Sequence, residues 1–211
     1  MYRNYMKRAI DFILATGALV VFSPVFLLLF IMIKLDSKGP VFFKQKRVGI
    51  NKTHFNILKF RTMRTDTPSD MPTHLLDDPE QFITKVGKFL RKTSLDELPQ
   101  LINIVKGEMS IVGPRPALWN QYDLIAERDK YEANDIRPGL TGWAQINGRD
   151  ELEIDIKAKL DGEYLERMNF GFDLKCIYGT AVSVSKSEGV VEGGTGTLNS
   201  NSQRNVSKLK G

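Results

Sequence analysis

The chain has 211 residues, 42% of them hydrophobic and 26% charged, which suits one domain with appendages and excludes wholesale disorder or collagen-like repetition. Its one cysteine, Cys176, excludes an internal disulfide framework and a zinc site of several cysteines, and points to a reducing compartment. The net charge of +5 is uneven: residues 1–64 carry 12 Lys and Arg against 2 Asp and Glu, so the front of the chain calls for an anionic partner such as phospholipid, nucleotide or nucleic acid.

Phe12 to Ile33 is a run of 22 uncharged, mostly apolar residues, long enough for a membrane helix. No small-x-small cleavage site follows it, which argues against a signal peptide. Nothing else in the chain is apolar enough to wrap it as a core helix. Ser23-Pro24 stands at its middle. Proline removes an N–H and crowds the carbonyl four residues back, so a helix bends there. The Ser23 hydroxyl can bond the freed carbonyl. Arg3, Lys7 and Arg8 precede the run; Lys34, Lys38, Lys44, Lys46 and Arg47 follow it. The positive-inside tendency puts both flanks on the cytoplasmic face. That describes a re-entrant hairpin; a single kinked pass is the alternative that the pattern leaves open.

Gly39-Pro40 ends the anchor. Val41-Phe42-Phe43 and His54 to Phe60 read as short strands of a small basic hairpin around Gly49-Ile50-Asn51-Lys52. Residues 65–81 read as a surface loop, and Phe82 to Arg91 as a short amphipathic stretch. A helix carries Leu98, Leu101, Ile102 and Val105 and stops at Gly107. Pro114 and Pro116 break the chain. Ala117–Glu132 and Glu151–Arg167 read as polar, mostly exposed helices. Asn169–Ser185 reads as an amphipathic helix for the core or the membrane interface. From Ser187 on, the composition is that of a disordered tail. The fold class is α+β, mainly helical.

The most pointed stretch is Arg91 to Gln100. Ser94 and Glu97 match a capping box, and Pro99 suits a first helical turn, so Asp96 and Glu97 lie near a helix N-terminus. Two carboxylates there complement the helix dipole. Alternatively, they serve chemistry: free N–H groups welcome a phosphate, and an ionised carboxylate can attack phosphorus while its neighbour faces a divalent cation. Lys59 and Arg61, two apart on a strand, share a face. Arg115 sits in Gly113-Pro114-Arg115-Pro116, while Arg137 and Arg149 bracket a Gly-rich polar segment. Arginine grips phosphate oxygens in a fork, although each cation is also an ordinary surface charge. Nucleic acid is disfavoured by the anchor and by the acidic balance of the later residues. No Walker A motif, GxGxxG or credible Ser-His-Asp set is present. A membrane-tethered scaffold would need the anchor and hairpin but not the Asp96-Glu97 pair.

In order, Lys7-Arg8 through Asp11, Ser23-Pro24, Phe43-Lys44-Gln45-Lys46-Arg47, Lys59-Phe60-Arg61-Thr62-Met63 and Ser94-Leu95-Asp96-Glu97-Leu98 resemble the monotopic phosphoglycosyl transferases. Gly113-Pro114-Arg115-Pro116, Arg137-Pro138-Gly139 through Gln145, Asn147-Gly148-Arg149, Asp161 with Tyr164, and Asp173-Leu174-Lys175 continue the match. The resemblance is to the minimal form of that family. It implies transfer of a phosphosugar from a UDP-sugar to polyprenol (undecaprenyl) phosphate with release of UMP, through a covalent phosphosugar on Asp96 with Glu97 as its partner. A mild preference falls on an N-acetylated amino sugar. The implied cofactor is Mg²⁺, with Asp96, Glu97 and Asp161 as candidate ligands; Asp161 is equally able to order an arginine. Lys59, Arg61, Arg91, Arg115, Arg137 and Arg149 are the candidate phosphate and nucleotide binders. The resemblance favours the re-entrant hairpin, with amphipathic interfacial helices around a site on the cytoplasmic face of the bacterial inner membrane. Residues 1–38 are then the anchor, 39–186 a catalytic domain forming one unit with it, and 187–211 the tail. Downstream glycosyltransferases are the implied protein partners, and no nucleic acid is expected.

Overall fold

The apolar run folds as two helices, α1 (Lys7–Val21) and α2 (Ser23–Asp36), bent by 61° at their junction. Pro24 lies in the first turn of α2 and has no N–H to offer Val20, four residues back. The Ser23 hydroxyl donates to that same Val20 carbonyl at 2.8 Å. In this computed structural model, which describes residues 2–67, 79–148 and 152–185, no single helix is long and apolar enough to cross a membrane; only together do the two bent helices have the length and apolar composition of a span.

The pair has two kinds of face. Phe12, Ile13, Val20, Leu27, Leu28 and Ile31 are exposed, a large apolar surface of the sort that marks an interaction site. On the inner side, Ala15 packs with Ile57, Leu101, Ile104 and Met109. Leu29 and Ile33 pack with Val41, Phe60 and Leu90. The helix pair therefore shares its core with the elements that follow.

Those elements begin with the basic hairpin, β1 (Phe42–Val48) and β2 (His54–Phe60), paired antiparallel with Phe43 opposite Lys59. Strand β1 runs farther than its apolar start suggests, because cross-strand pairing carries Lys44, Lys46 and Arg47 along. Helix α3 (Lys85–Thr93) is capped by Thr84, whose hydroxyl accepts from the Gly87 N–H at 2.9 Å. A short turn leads into α4 (Gln100–Lys106), which ends at Gly107 with φ 86°. Here glycine supplies the left-handed conformation that closes the helix.

Strands β3 (Ser110–Val112) and β4 (Gly139–Thr141) pair in parallel. Three residues each are too few to show period-two alternation, so sequence patterning does not reveal them. Between them lies α5 (Tyr122–Asp129); α6 (Trp143–Ile146), α7 (Ile154–Arg167) and α8 (Phe170–Ser185) follow. Helix α7 is not mostly exposed, as its polar sequence suggests. It buries Ile156, Ala158, Leu160, Asp161, Gly162 and Tyr164 between α5 and α6. Helix α8 buries Phe172, Asp173 and Cys176 and exposes Phe170, Leu174, Ile177 and Tyr178. Residues 68–78 of the expected loop and the expected tail from residue 187 lie outside the described residues.

A close approach of backbone to backbone positions α3. A Cβ at Gly87 would lie 2.0 Å from the Thr62 carbonyl oxygen. Thr62 also accepts from Arg91 Nε at 2.9 Å through its hydroxyl, so one residue sets both the height and the rotation of α3. Gly87→Ala should destabilise the fold by about 1–3 kcal/mol through overpacking. Thermal unfolding of the purified variant measures this, and an unchanged midpoint would contradict the contact.

Candidate active site

Asp96 and Glu97 stand on a 3₁₀ turn, Leu95–Glu97, that leads into α4. The expected capping box does not form. Ser94 adopts a left-handed conformation, φ 55°, and its N–H closes α3 instead by donating to the last carbonyls of that helix. Glu97 is drawn to cations rather than back to the Ser94 backbone. Its Oε1 accepts from Lys59 Nζ at 2.7 Å and from Arg115 Nη2 at 3.4 Å. Lys59 also lies 3.8 Å from Asp96 Oδ2, so one ammonium faces both carboxylates. Strand β2 aims Lys59, and the Pro114-Arg115-Pro116 segment presents Arg115.

Burial makes this pair sensitive to its cations. Asp96 is held above the ordinary aspartate range, first by burial and then by the Glu97 charge, against the opposing pull of Lys59, Arg91 and Arg115. For Glu97 burial also resists ionisation, but the charges and hydrogen bonds of Lys59 and Arg115 outweigh it and hold the carboxyl at about 2. The outcome is a firmly ionised Glu97 beside an Asp96 whose proton is more easily retained.

The remaining expected site residues divide. Arg91 reaches the field of Asp96 from α3. Arg61 does not share the Lys59 position: β2 ends at Phe60, and the Arg61 guanidinium donates to the Lys38 carbonyl at 2.8 Å and to the Ser37 carbonyl at 2.7 Å. It fastens the chain just after α2. Arg137 donates through Nε to the Gly107 carbonyl at 2.9 Å. That places it beyond the far end of α4, a seven-residue helix about 10 Å long, from the carboxylates. Asp161 pairs with Arg128 at 2.6 Å, almost fully buried. Of its two expected roles, the arginine partner is the one seen. Arg149 lies outside the described residues. Ser23 and Pro24 form the bend.

Among the described residues no three His, Cys, Asp or Glu side chains converge as a metal cage. The Asp96-Glu97 pair still fits one hard cation of the magnesium type. Such an ion takes one or two protein carboxylates and completes its shell with water and substrate phosphates.

Several fixing contacts escape the sequence reading. Lys7 pairs with Asp173 at 2.6 Å, joining α1 to α8, and Tyr164 donates to the other oxygen of Asp173 at 2.7 Å. The Arg8 guanidinium donates to the Ile104 and Val105 carbonyls at 2.6 and 2.8 Å, binding α1 to the end of α4. The only available signal is that Lys7, Arg8, Tyr164 and Asp173 occur in the matched motifs; their partners are distant in the chain.

Comparison with known proteins agrees with the motif match. The family model for bacterial sugar transferases matches residues 2–187. An uncharacterised sugar transferase, EpsL of Bacillus subtilis, is 40% identical over 185 residues, covering 88% of this chain and 90% of that protein. UDP-glucose:undecaprenyl-phosphate glucose-1-phosphate transferase of Escherichia coli is 42% identical over 182 residues; the match takes in 82% of this chain but 39% of that longer protein. UDP-N-acetylgalactosamine-undecaprenyl-phosphate N-acetylgalactosaminephosphotransferase of Aeromonas hydrophila is 36% identical over 182 residues, or 83% of this chain and 43% of the relative.

The lowered Glu97 carboxyl contributes stability that is fully present above its ordinary value of 4.5 and is lost as pH falls toward 2. Lys59→Met should therefore destabilise the protein by about 2 kcal/mol at neutral pH. The gap to wild type should close as the pH is lowered through that window. Equilibrium unfolding at several pH values measures it; a gap independent of pH would contradict the pairing.

Proposed function

The chain belongs to the bacterial sugar transferase family, and from that premise we propose that it moves a phosphosugar from a UDP-sugar to polyprenol (undecaprenyl) phosphate. The observation that carries this reading is the buried Asp96-Glu97 turn with Lys59, Arg91 and Arg115 turned upon it. Relatives named as undecaprenyl-phosphate sugar phosphotransferases support the substrate classes.

Two displacements account for the reaction. Ionised Asp96 attacks the phosphorus that bears the sugar. A bond forms from the carboxylate oxygen to that phosphorus, and the bond to the bridging oxygen breaks, so UMP leaves. An oxygen of polyprenol phosphate then attacks the same phosphorus and displaces the Asp96 carboxylate, giving polyprenol diphosphosugar. Both steps bring anions together, so charge neutralisation is the main task. Lys59 and Arg115 keep Glu97 ionised and, with Arg91, present positive charge where the diphosphate must lie. Glu97, with Asp96, would hold Mg²⁺, which supplies further neutralisation of phosphate charge. Asp161 is no longer needed as a ligand in this account.

The exposed apolar faces of α1 and α2, with basic residues at both flanks, support embedding of the pair as a re-entrant hairpin in the inner leaflet of the bacterial cytoplasmic membrane. The exposed apolar residues of α8 support an interfacial position for that helix. Such a placement lets the polyprenol tail stay in lipid while its phosphate reaches Asp96. The product is the first lipid-linked intermediate of a glycan, to be extended by downstream glycosyltransferases. An N-acetylated amino sugar is the preferred donor, and the relatives' names make glucose the main competitor.

Nucleotide release tests the reading. Protein in lipid particles with Mg²⁺, undecaprenyl phosphate and a UDP-sugar panel should release UMP from one donor. Asp96→Asn should lower that release by about a thousand-fold or more. Release of UDP, or full turnover by the variant, would contradict it.

A further inference from the structure

A second basic site lies away from the carboxylate pair. A cavity of about 330 Å³ opens between the start of α1 and the loop that leads into β4. Arg3, Lys7, Arg8 and Asp11 line it on one side, and Asp135 and Arg137 on the other. None of Lys59, Arg91, Asp96, Glu97 or Arg115 borders it. It sits at the carboxyl end of α4, whereas the carboxylates precede the amino end of that helix.

The charges in the cavity are not matched. Lys7 is neutralised by Asp173. Asp11 is held by the Ser110 hydroxyl at 2.6 Å and the Ile111 N–H at 3.2 Å. Arg8 and Arg137 are steered by the carbonyls of Ile104, Val105 and Gly107, which orient a guanidinium without cancelling its charge. Arg3 is exposed, and among the described residues no carboxylate pairs with Arg3, Arg8 or Arg137. With Lys7 set against Asp173, three guanidinium groups thus face two acids, Asp11 and the exposed Asp135, leaving one positive charge in excess across a space large enough for a tetrahedral anion. Arg8 and Arg137 are held by these carbonyls and keep further N–H groups for a ligand, and guanidinium N–H groups suit phosphate oxygens.

The position says where the phosphate comes from. Arg3 and Arg8 stand at the amino end of α1, just before the exposed apolar faces of Phe12 and Ile13. If those faces lie in lipid, as the proposed function holds, the cavity is at headgroup height. We propose that it is a second, non-catalytic phosphate site, filled from the bilayer by the headgroup of an anionic phospholipid. Bound there, the headgroup joins α1 to the end of α4 whose other end leads back to Asp96 and Glu97.

The test uses the full chain purified in detergent and titrated with phosphatidylglycerol or phosphatidylcholine, with bound lipid counted by native mass spectrometry. Arg3→Gln removes one charge without breaking a hydrogen bond of the described residues; Arg137→Gln removes a second from the opposite wall. Wild type should prefer phosphatidylglycerol, and each variant should weaken its binding by roughly ten-fold. Inorganic phosphate in millimolar excess should not displace the lipid. Displacement by inorganic phosphate would assign the site to a soluble anion and overturn the lipid source. Equal retention of phosphatidylglycerol by wild type and both variants would overturn the site itself. UMP release and flotation with vesicles, measured on the same preparations, report separately whether the transferase reading and the membrane placement stand.

Discussion

Two neighbouring carboxylates in a buried turn repel each other and resist ionisation, so they persist only where cations are brought to them. Asp96 and Glu97 impose that constraint, and much of the molecule is arranged to meet it. Strand β2 delivers Lys59 to both acids. The Pro-flanked segment after β3 delivers Arg115. Helix α3 delivers Arg91, fixed by the Thr62 hydroxyl where the chain leaves β2. The three cations come from separate parts of the chain: Lys59 and Arg115 keep Glu97 ionised, and Arg91 joins them in opposing the burial of Asp96.

Helix α4 links this arrangement to the apolar pair. It begins just after the carboxylates and ends where Arg8 and Arg137 grip its last carbonyls and Gly107. Its buried side packs against Ala15 of α1. A displacement of α1 would therefore reach α4 directly, through packing and through Arg8. Lys7, Asp173 and Tyr164 give α1 a second fixed point on α8 and α7. The placement of the apolar helix pair and the geometry at the carboxylates are mechanically joined.

Local chemistry was legible in the sequence wherever its cause was local. The break at Ser23-Pro24 follows from one missing N–H, and the hairpin from apolar and turn patterning. Gly107 ends α4 because a left-handed residue is needed there. Long-range pairing was not legible. Lys59 meets Glu97 across 38 positions, and Arg128 meets Asp161 across 33. The Ser94-Glu97 pattern offered a capping box, but two nearby cations hold Glu97 more strongly than a backbone N–H can. Arg61 sat two residues from Lys59, yet the strand ended between them and its guanidinium took the carbonyls after α2. Helix α7 looked solvated because it is rich in charged residues, yet Asp161 is buried with Arg128 as the close partner that makes that burial tolerable. The motif order carried the family; the geometry redistributed its arginines.

In the proposed reaction Asp96 becomes covalently linked to the phosphosugar. That linkage is tested most directly by intact-protein mass spectrometry, after the active UDP-sugar is added with Mg²⁺ but without polyprenol phosphate. The expected result is a mass increase equal to one phosphosugar, mapped by peptide analysis to Asp96 and discharged when the acceptor is added. An unmodified protein that nonetheless turns over once acceptor is present, or an adduct on another residue, would contradict it.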